Sequence, residues 1–280
     1  QALTTAQMKA LTTAQIVALT TSQFVAVQTE DLAVLSTAQI AALQASDLAA
    51  LSTAQIVALT SAQVAALTTS QVVALTTAQV AALETADVAA LGTAQIQAMQ
   101  ISDVAALTTA QIVALSTAQV QALTTAQVSG LTTAQVEALE TRDVAALTTA
   151  QIQAMQNTDL AVLTSGQVAA LTTDQVVALT TAQAAALTTN EVSKLTTAQV
   201  AAIETEDLVK MTTAQIASLS SVQITALTTN QVANLTTAQI ASLTTVQIVQ
   251  GLSTAQLQAL ETRDVAVLTA AQAAALTTAQ

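Results

Sequence analysis

The chain has 280 residues, no His, Cys, Pro, Trp or Tyr, a single Phe, and a formal net charge of −12. These absences exclude disulfides, thiolate and imidazole metal sites, Ser-His-Asp and Cys-His catalysis, and aromatic stacking on bases or sugars. With 52% apolar and only 8% charged residues the chain is too apolar for disorder, and its acidity disfavours a phosphate backbone or an anionic membrane as partner.

From Leu3 the sequence repeats every eight residues, without slip to Gln250, on the pattern L-T-T-A-Q-I/V-x-A. Position 1 is Leu except at Val27, Met99, Met155, Ile203 and Met211. Position 6 is Ile, Val or Leu except at Met8, Phe24, Ala184 and Ala273. Neither position carries a polar group, so both belong to the core; the methionines read as fillers of core gaps. Position 4 admits Glu30, Arg142, Asp174, Asn190, Glu206 and Asn230, and position 7 admits Lys9, Gln97, Glu137 and Ser193, so both face solvent.

Each octad predicts one short helix. Thr at position 2 and Gln at position 5 form the T-x-x-Q capping box, in which the hydroxyl accepts from the backbone N–H three residues on and the longer side chain reaches back. Ala, Gln and Leu then favour helix from position 3 to about position 8. So short a helix does not persist alone, and its neighbours must hold it, which is the logic of a solenoid. One long helix does not fit, because eight residues advance the apolar position by about 80° and no seam forms. The alternative is a β-solenoid, since an even period keeps strand alternation in phase. Few Gly for its corners and abundant Ala count against it. Thr and Gln interrupt every apolar run, so no membrane span is expected. The fold expectation is all-α: a single continuous solenoid over residues 1–280. Its start at Gln1 and end in mid-octad suggest an excerpt of a longer protein.

The string LTTSQVVAL, residues 67–75, resembles the first short helix of transcription-activator-like effector repeats. The resemblance covers one octad per unit. The second helix, the base-reading loop and the positive charge of that family have no counterpart here, so it implies helix and not DNA binding. Over the whole chain, the Thr-, Ala- and Gln-rich array is similar in composition to low-complexity segments of very large bacterial surface or secreted proteins. That similarity implies a stalk, fibre or sheath in an adhesin-like, extracellular assembly.

Eight octads depart from the pattern together, with Glu or Gln at position 2 and Asp at position 5. They begin at 27, 43, 83, 99, 139, 155, 203 and 260, and the alternating steps of 16 and 40 define a 56-residue super-repeat through the first two-thirds of the chain. Block duplication or a superhelix of about seven octads per turn would produce it. In the superhelix, Asp31, Asp87 and Asp143 form one column, flanked by Glu84 and Glu140, and Asp47, Asp103 and Asp159 form another. The bland reading of the swap is a second way to cap a helix, with Asp near the exposed N–H groups. The functional reading is a weak cation site, with Asp31, Asp87, Glu140 and Asp143 as candidates. Columns about a helix diameter apart are too wide for one calcium ion, and Arg142 and Arg263 point to local charge balance instead.

Towards the C-terminus position 8 turns polar, with Lys194, Lys210, Ser218, Asn234, Ser242 and Gln250. Gly251 is a single inserted residue, expected to relieve the register between two helices. No catalytic residue, cofactor or nucleic-acid motif stands out. The expectation is a non-enzymatic structural repeat protein that self-associates into a filament or array. The rival is a protein-binding solenoid using the polar position 8 face.

Overall fold

The computed structural model describes residues 4–276, and among them every octad forms one short helix and no strand occurs. The first helix, Thr5–Ala10, spans positions 3 to 8 of its octad. Thr4 is its N-cap and Leu11 closes its C-terminus. The same frame returns at Thr37–Ala42, Thr77–Ala82 and Thr197–Ala202. Position 2 adopts extended backbone and its hydroxyl accepts from the position 5 N–H, as at Thr76 and Gln79 (3.2 Å). The next Leu returns the chain to extended backbone, so each helix is stopped by the residue that begins the following octad.

The contacts divide the chain into two compact units, residues 1–139 and 140–280. Within each, a helix packs on the helix three octads later: Thr21–Val25 on Ala45–Ala50 in the first unit, Thr197–Ala202 on Ser221–Ala226 in the second. Side chains reach across at separations of 26 to 31 residues, so one turn takes between three and four octads. This corrects the seven octads per turn inferred from the super-repeat. A turn of about 28 residues is not a whole number of octads, whereas two turns, 56 residues, are. The super-repeat is therefore the shortest length after which an octad lies above another in the same frame.

The core consists of positions 6 and 1. Position 6 is 0–2% exposed from Met8 to Ile248, and position 1 is at most 7% exposed from Leu35 to Leu252. Met99 and Met155 fill ordinary position 1 sites. Positions 4 and 7 are exposed at all the polar residues named above. Position 8 is half-buried at most of its alanines, as at Ala58 and Ala98, and Ser218 and Ser242 sit in that same environment. Ala184 is the one Ala at a buried position 6 among the described residues, and beside it lies a small cavity of about 10 Å³, lined by Val168, Leu171, Val176, Leu195 and Met211 and, as a polar wall, by Asp207.

Gly251 is accommodated inside a helix and not between two. The chain passes through a π-helical turn, Gln247–Gly251, closed by the Leu252 N–H on the Gln247 carbonyl (3.1 Å). A Cβ at residue 251 would stand 2.9 Å from Ile224 Cγ2 and 3.3 Å from the Ser221 carbonyl, so the close approach requires glycine. Thr225 donates its hydroxyl to the Gly251 carbonyl (2.8 Å). Downstream, the bonds between turns lengthen by one residue and otherwise continue unchanged: Gln256 reaches Ile224 and Leu227 at separations of 32 and 29.

Among the described residues no helix is long and apolar enough to cross a membrane.

Candidate functional site

Among the described residues, position 5 is the one polar position that is buried in every octad from Asp31 onward. It holds Gln, Asp or, once, Glu. In a Gln octad the carboxamide does two jobs. Gln71 Oε1 accepts from the Thr68 N–H (2.7 Å), completing the cap of its own helix. Its Nε2 donates to the carbonyls of Ile40 and Leu43, both at 2.8 Å, which end a helix in the preceding turn. A helix leaves unpaired N–H groups at its start and unpaired carbonyls at its end. One Gln satisfies some of each, on two successive turns. The pattern recurs at Gln79, Gln111 and Gln127 in the first unit and at Gln175, Gln199 and Gln231 in the second. Sequence reasoning found the cap and missed the clamp. The signal was present: position 5 is never apolar or small, while positions 4 and 7 vary.

Aspartate has no donor and cannot clamp, and in the Asp octads the contacts move. Asp47 Oδ1 accepts from the Thr21 hydroxyl (2.6 Å) and Asp87 Oδ1 from the Ser61 hydroxyl (2.7 Å), each on position 3 of the octad three earlier. The link to the preceding carbonyls passes to position 2: Gln44 Nε2 donates to Val17 (3.2 Å) and Gln100 Nε2 to Val73 (3.0 Å). The expected re-capping is partial. Asp87, Asp159 and Asp264 accept from the N–H of Glu84, Gln156 and Glu261, all at 3.3 Å, longer than the corresponding Gln bonds. Physically, the Gln44 and Gln100 octads replace the position 5 clamp with a side-chain amide one turn nearer the helix start, whereas octads with Glu at position 2, such as that of Glu84, have no donor there and keep the carboxylate–hydroxyl bond.

Burial raises the pKa of Asp103 and Asp159 against a backbone hydrogen bond that lowers each, from Gln100 and Gln156 respectively. Asp207 is raised chiefly by burial. The Thr181 hydroxyl opposes the shift, and the neighbouring Glu204 and Glu206 add to it. Asp47, Asp103 and Asp207 each keep one buried oxygen, Oδ2, without a hydrogen-bond partner.

The four candidate cation ligands are not brought together. Asp31 and Asp87 are both buried in the first unit, 56 residues and therefore two turns apart, with a full turn between them. Glu140 and Asp143 share an octad in the second unit, and Arg142 lies against both: its Nη2 is 2.6 Å from Glu140 Oε2 and its Nε is 3.8 Å from Asp143 Oδ1. Arg263 repeats the arrangement with Glu261 (3.0 Å) and Asp264 (3.7 Å). Both arginines are about 60% exposed, so these clips balance charge at the surface and add little stability. Among the described residues no three acidic side chains converge as metal ligands would.

In comparisons with known proteins, no curated protein matches the chain. The ALTTAQ repeat family matches residues 1–29, 40–77, 80–117, 104–141, 136–173, 152–189 and 200–237. These matches cover well over half of the sequence, and the features they span are the ones that build the fold: the Thr cap, the Gln clamp and the Leu that ends each helix. The chain belongs to the ALTTAQ repeat family.

Proposed function

We propose that the chain is a structural element, a rigid solenoid segment serving as stalk, fibre or filament subunit of an extracellular bacterial protein, with no catalytic role. The observation that carries this reading is the repeated Gln clamp. It ties each turn to the previous one by hydrogen bonds of the same geometry through both units, with each such bond contributing about 0.5–1.5 kcal/mol net. An array joined in this way resists bending and local opening at every turn, which is what a load-bearing element needs.

Self-association along the axis is part of the proposal.

Electron micrographs and sedimentation of the purified chain over a hundredfold range of concentration test the proposal. Uniform fibres that lengthen with concentration support it. A monomer across the whole range overturns the filament role. The rival binding-module reading would be favoured if charge reversal at the exposed Lys194 or Lys210 abolished capture of a specific protein partner.

A further inference from the structure

The octad Leu187–Lys194 belongs to neither class. It carries an acid at position 5, Glu191, but keeps Thr188 at position 2. Its cap is that of a Gln octad: Glu191 Oε2 accepts from the Thr188 N–H (2.5 Å), and the Thr188 hydroxyl accepts from the Glu191 N–H (3.3 Å). The side chain is 1% exposed, and Oε1 has no hydrogen-bond partner.

The octads on either side show what Oε1 faces. Gln183 Nε2 donates to the carbonyls of Ile152 (2.8 Å) and Met155 (2.9 Å), and Gln199 Nε2 to those of Val168 (2.8 Å) and Leu171 (2.7 Å). The same steps of 31 and 28 residues back from Glu191 lead to Leu160 and Leu163. Glu191 Oε1 therefore stands where an amide nitrogen stands in the flanking octads, against backbone acceptors. An ionised carboxylate there would place negative oxygens together with no proton among them, and a buried charge without a partner is costly. The helix that supplies one of these carbonyls, Asn157–Leu160, closes after only four residues.

The surroundings supply no countercharge. Ser165–Ala170 and Thr213–Ala217, the helices packed on Thr189–Lys194, hold no titratable side chain, and neither do the neighbouring Thr181–Ala186 and Thr197–Ala202. Asn157–Leu160 brings one further acid, Asp159, also buried. Lys194, on the helix of Glu191 itself, is exposed.

We propose that Glu191 is held in the folded chain as the neutral acid and donates its hydroxyl to the backbone carbonyls of Leu160 and Leu163. This seam between turns of the second unit is thus closed by a titratable proton where its neighbours are closed by amides. Burial raises the pKa of Glu191 above the ordinary glutamate value, overcoming the backbone and side-chain hydrogen bonds from Thr188 that lower it. The folded state then holds a proton that the unfolded state releases. The stability it contributes is complete below the unfolded pKa and is lost as pH rises through the folded one. The seam weakens on alkalinisation.

The test compares thermal unfolding of the full chain with its Glu191→Gln variant, which restores the consensus donor. At about pH 8 the variant is expected to unfold roughly 2–4 °C higher, and at about pH 4 the two should coincide. Asp103, Asp159 and Asp207 titrate in both proteins and cancel in the difference. A second measurement follows the Glu191 carboxyl carbon by NMR during a pH titration, with a midpoint expected well above that of the exposed glutamates. An advantage of the Glu191→Gln variant that is the same size at both pH values, or a Glu191 midpoint equal to that of the exposed glutamates, overturns the proposal.

Discussion

Gln79 and Leu51 are joined across two turns of the first unit: Gln79 Nε2 donates to the Leu51 carbonyl at 2.7 Å while its Oε1 accepts from the Thr76 N–H at 2.8 Å. Gln79→Ala removes both bonds and leaves buried backbone groups without partners. It is expected to cost about 1–3 kcal/mol in urea unfolding. Gln79→Glu keeps the acceptor and loses the donor, so its penalty should be smaller at mildly acidic pH than at neutral pH. Equal unfolding midpoints for Gln79→Ala and the parent chain would remove the clamp from the stability argument.

Folded-state pKa values raised at Asp103, Asp159, Glu191 and Asp207 all act in one direction on stability. Each group binds a proton more tightly in the folded chain than in the unfolded one, so stability falls as pH rises above the ordinary carboxylate range. The unfolding temperature is expected to be higher at about pH 4.5 than at about pH 7.5, and the net negative charge adds to the trend. A chain that gains stability steadily over this interval would contradict the assignment.

The hydroxyl–carboxylate bonds of the Asp octads should behave as coupled pairs. Ser61→Ala and Asp87→Ala, each of which removes the bond, are each expected to destabilise the first unit, and the double variant to lose less than their sum. The coupling should be about 0.5–3 kcal/mol in a double-mutant cycle. Strict additivity would show that Ser61 and Asp87 contribute independently.

Two glycines separate a fixed obstacle from a movable one. Gly251→Ala drives a methyl group against Ile224 Cβ and the Ser221 carbonyl, neither of which can move alone, and is expected to cost about 1–3 kcal/mol. Gly130→Ala meets the Cγ2 of Ile101 at 2.4 Å, with backbone no nearer than 3.5 Å; that side chain is 48% exposed and yields by a rotamer change, so the cost should be smaller, about 0.5–1.5 kcal/mol. Urea midpoints of the two variants measure the contrast directly.

Ala184→Val fills the cavity in the second unit with aliphatic atoms against walls that are apolar except at Asp207. It is expected to stabilise the chain by about 0.5–2 kcal/mol. The same substitution at position 8, for example Ala98→Val, adds its methyls to a half-exposed site and should gain much less. Thermal melts of the two variants, compared with the parent, check this.

The sequence reading identified the helix frame, its Thr cap, the two core positions and the solvent-facing ones, because each depends on chemistry within a single octad. Thr4 caps Gln7 three residues away, and Leu11 ends that helix at the next residue of the pattern. The pitch was out of reach for the opposite reason. Whether Gln39 meets Leu11 or a residue a full 56 positions back depends on how octads pack across turns, and no local rule contains that distance. The 56-residue spacing was real and its interpretation as one turn was not, since a spacing fixes only the product of turn length and number of turns. The clamp was hidden behind the cap. A single Gln serves both, and the half that faces its own helix already accounted for the residue. At Gly251 the insertion was visible, but its absorption by a π turn depended on contact with Ile224.

The clamp also defines how such a chain can change length. The partner of each position 5 side chain is set by distance along the array and not by the identity of the octad it meets. Gain or loss of whole octads by unequal crossing-over leaves each Gln above another position 1 carbonyl, and each Asp above another position 3 residue, which is Thr or Ser in nearly every octad. The gene can therefore lengthen or shorten in units of eight codons with little structural consequence. Selection is left to act on the exceptional octads, such as those bearing Glu191 and Gly251, where one residue alters the contact between turns.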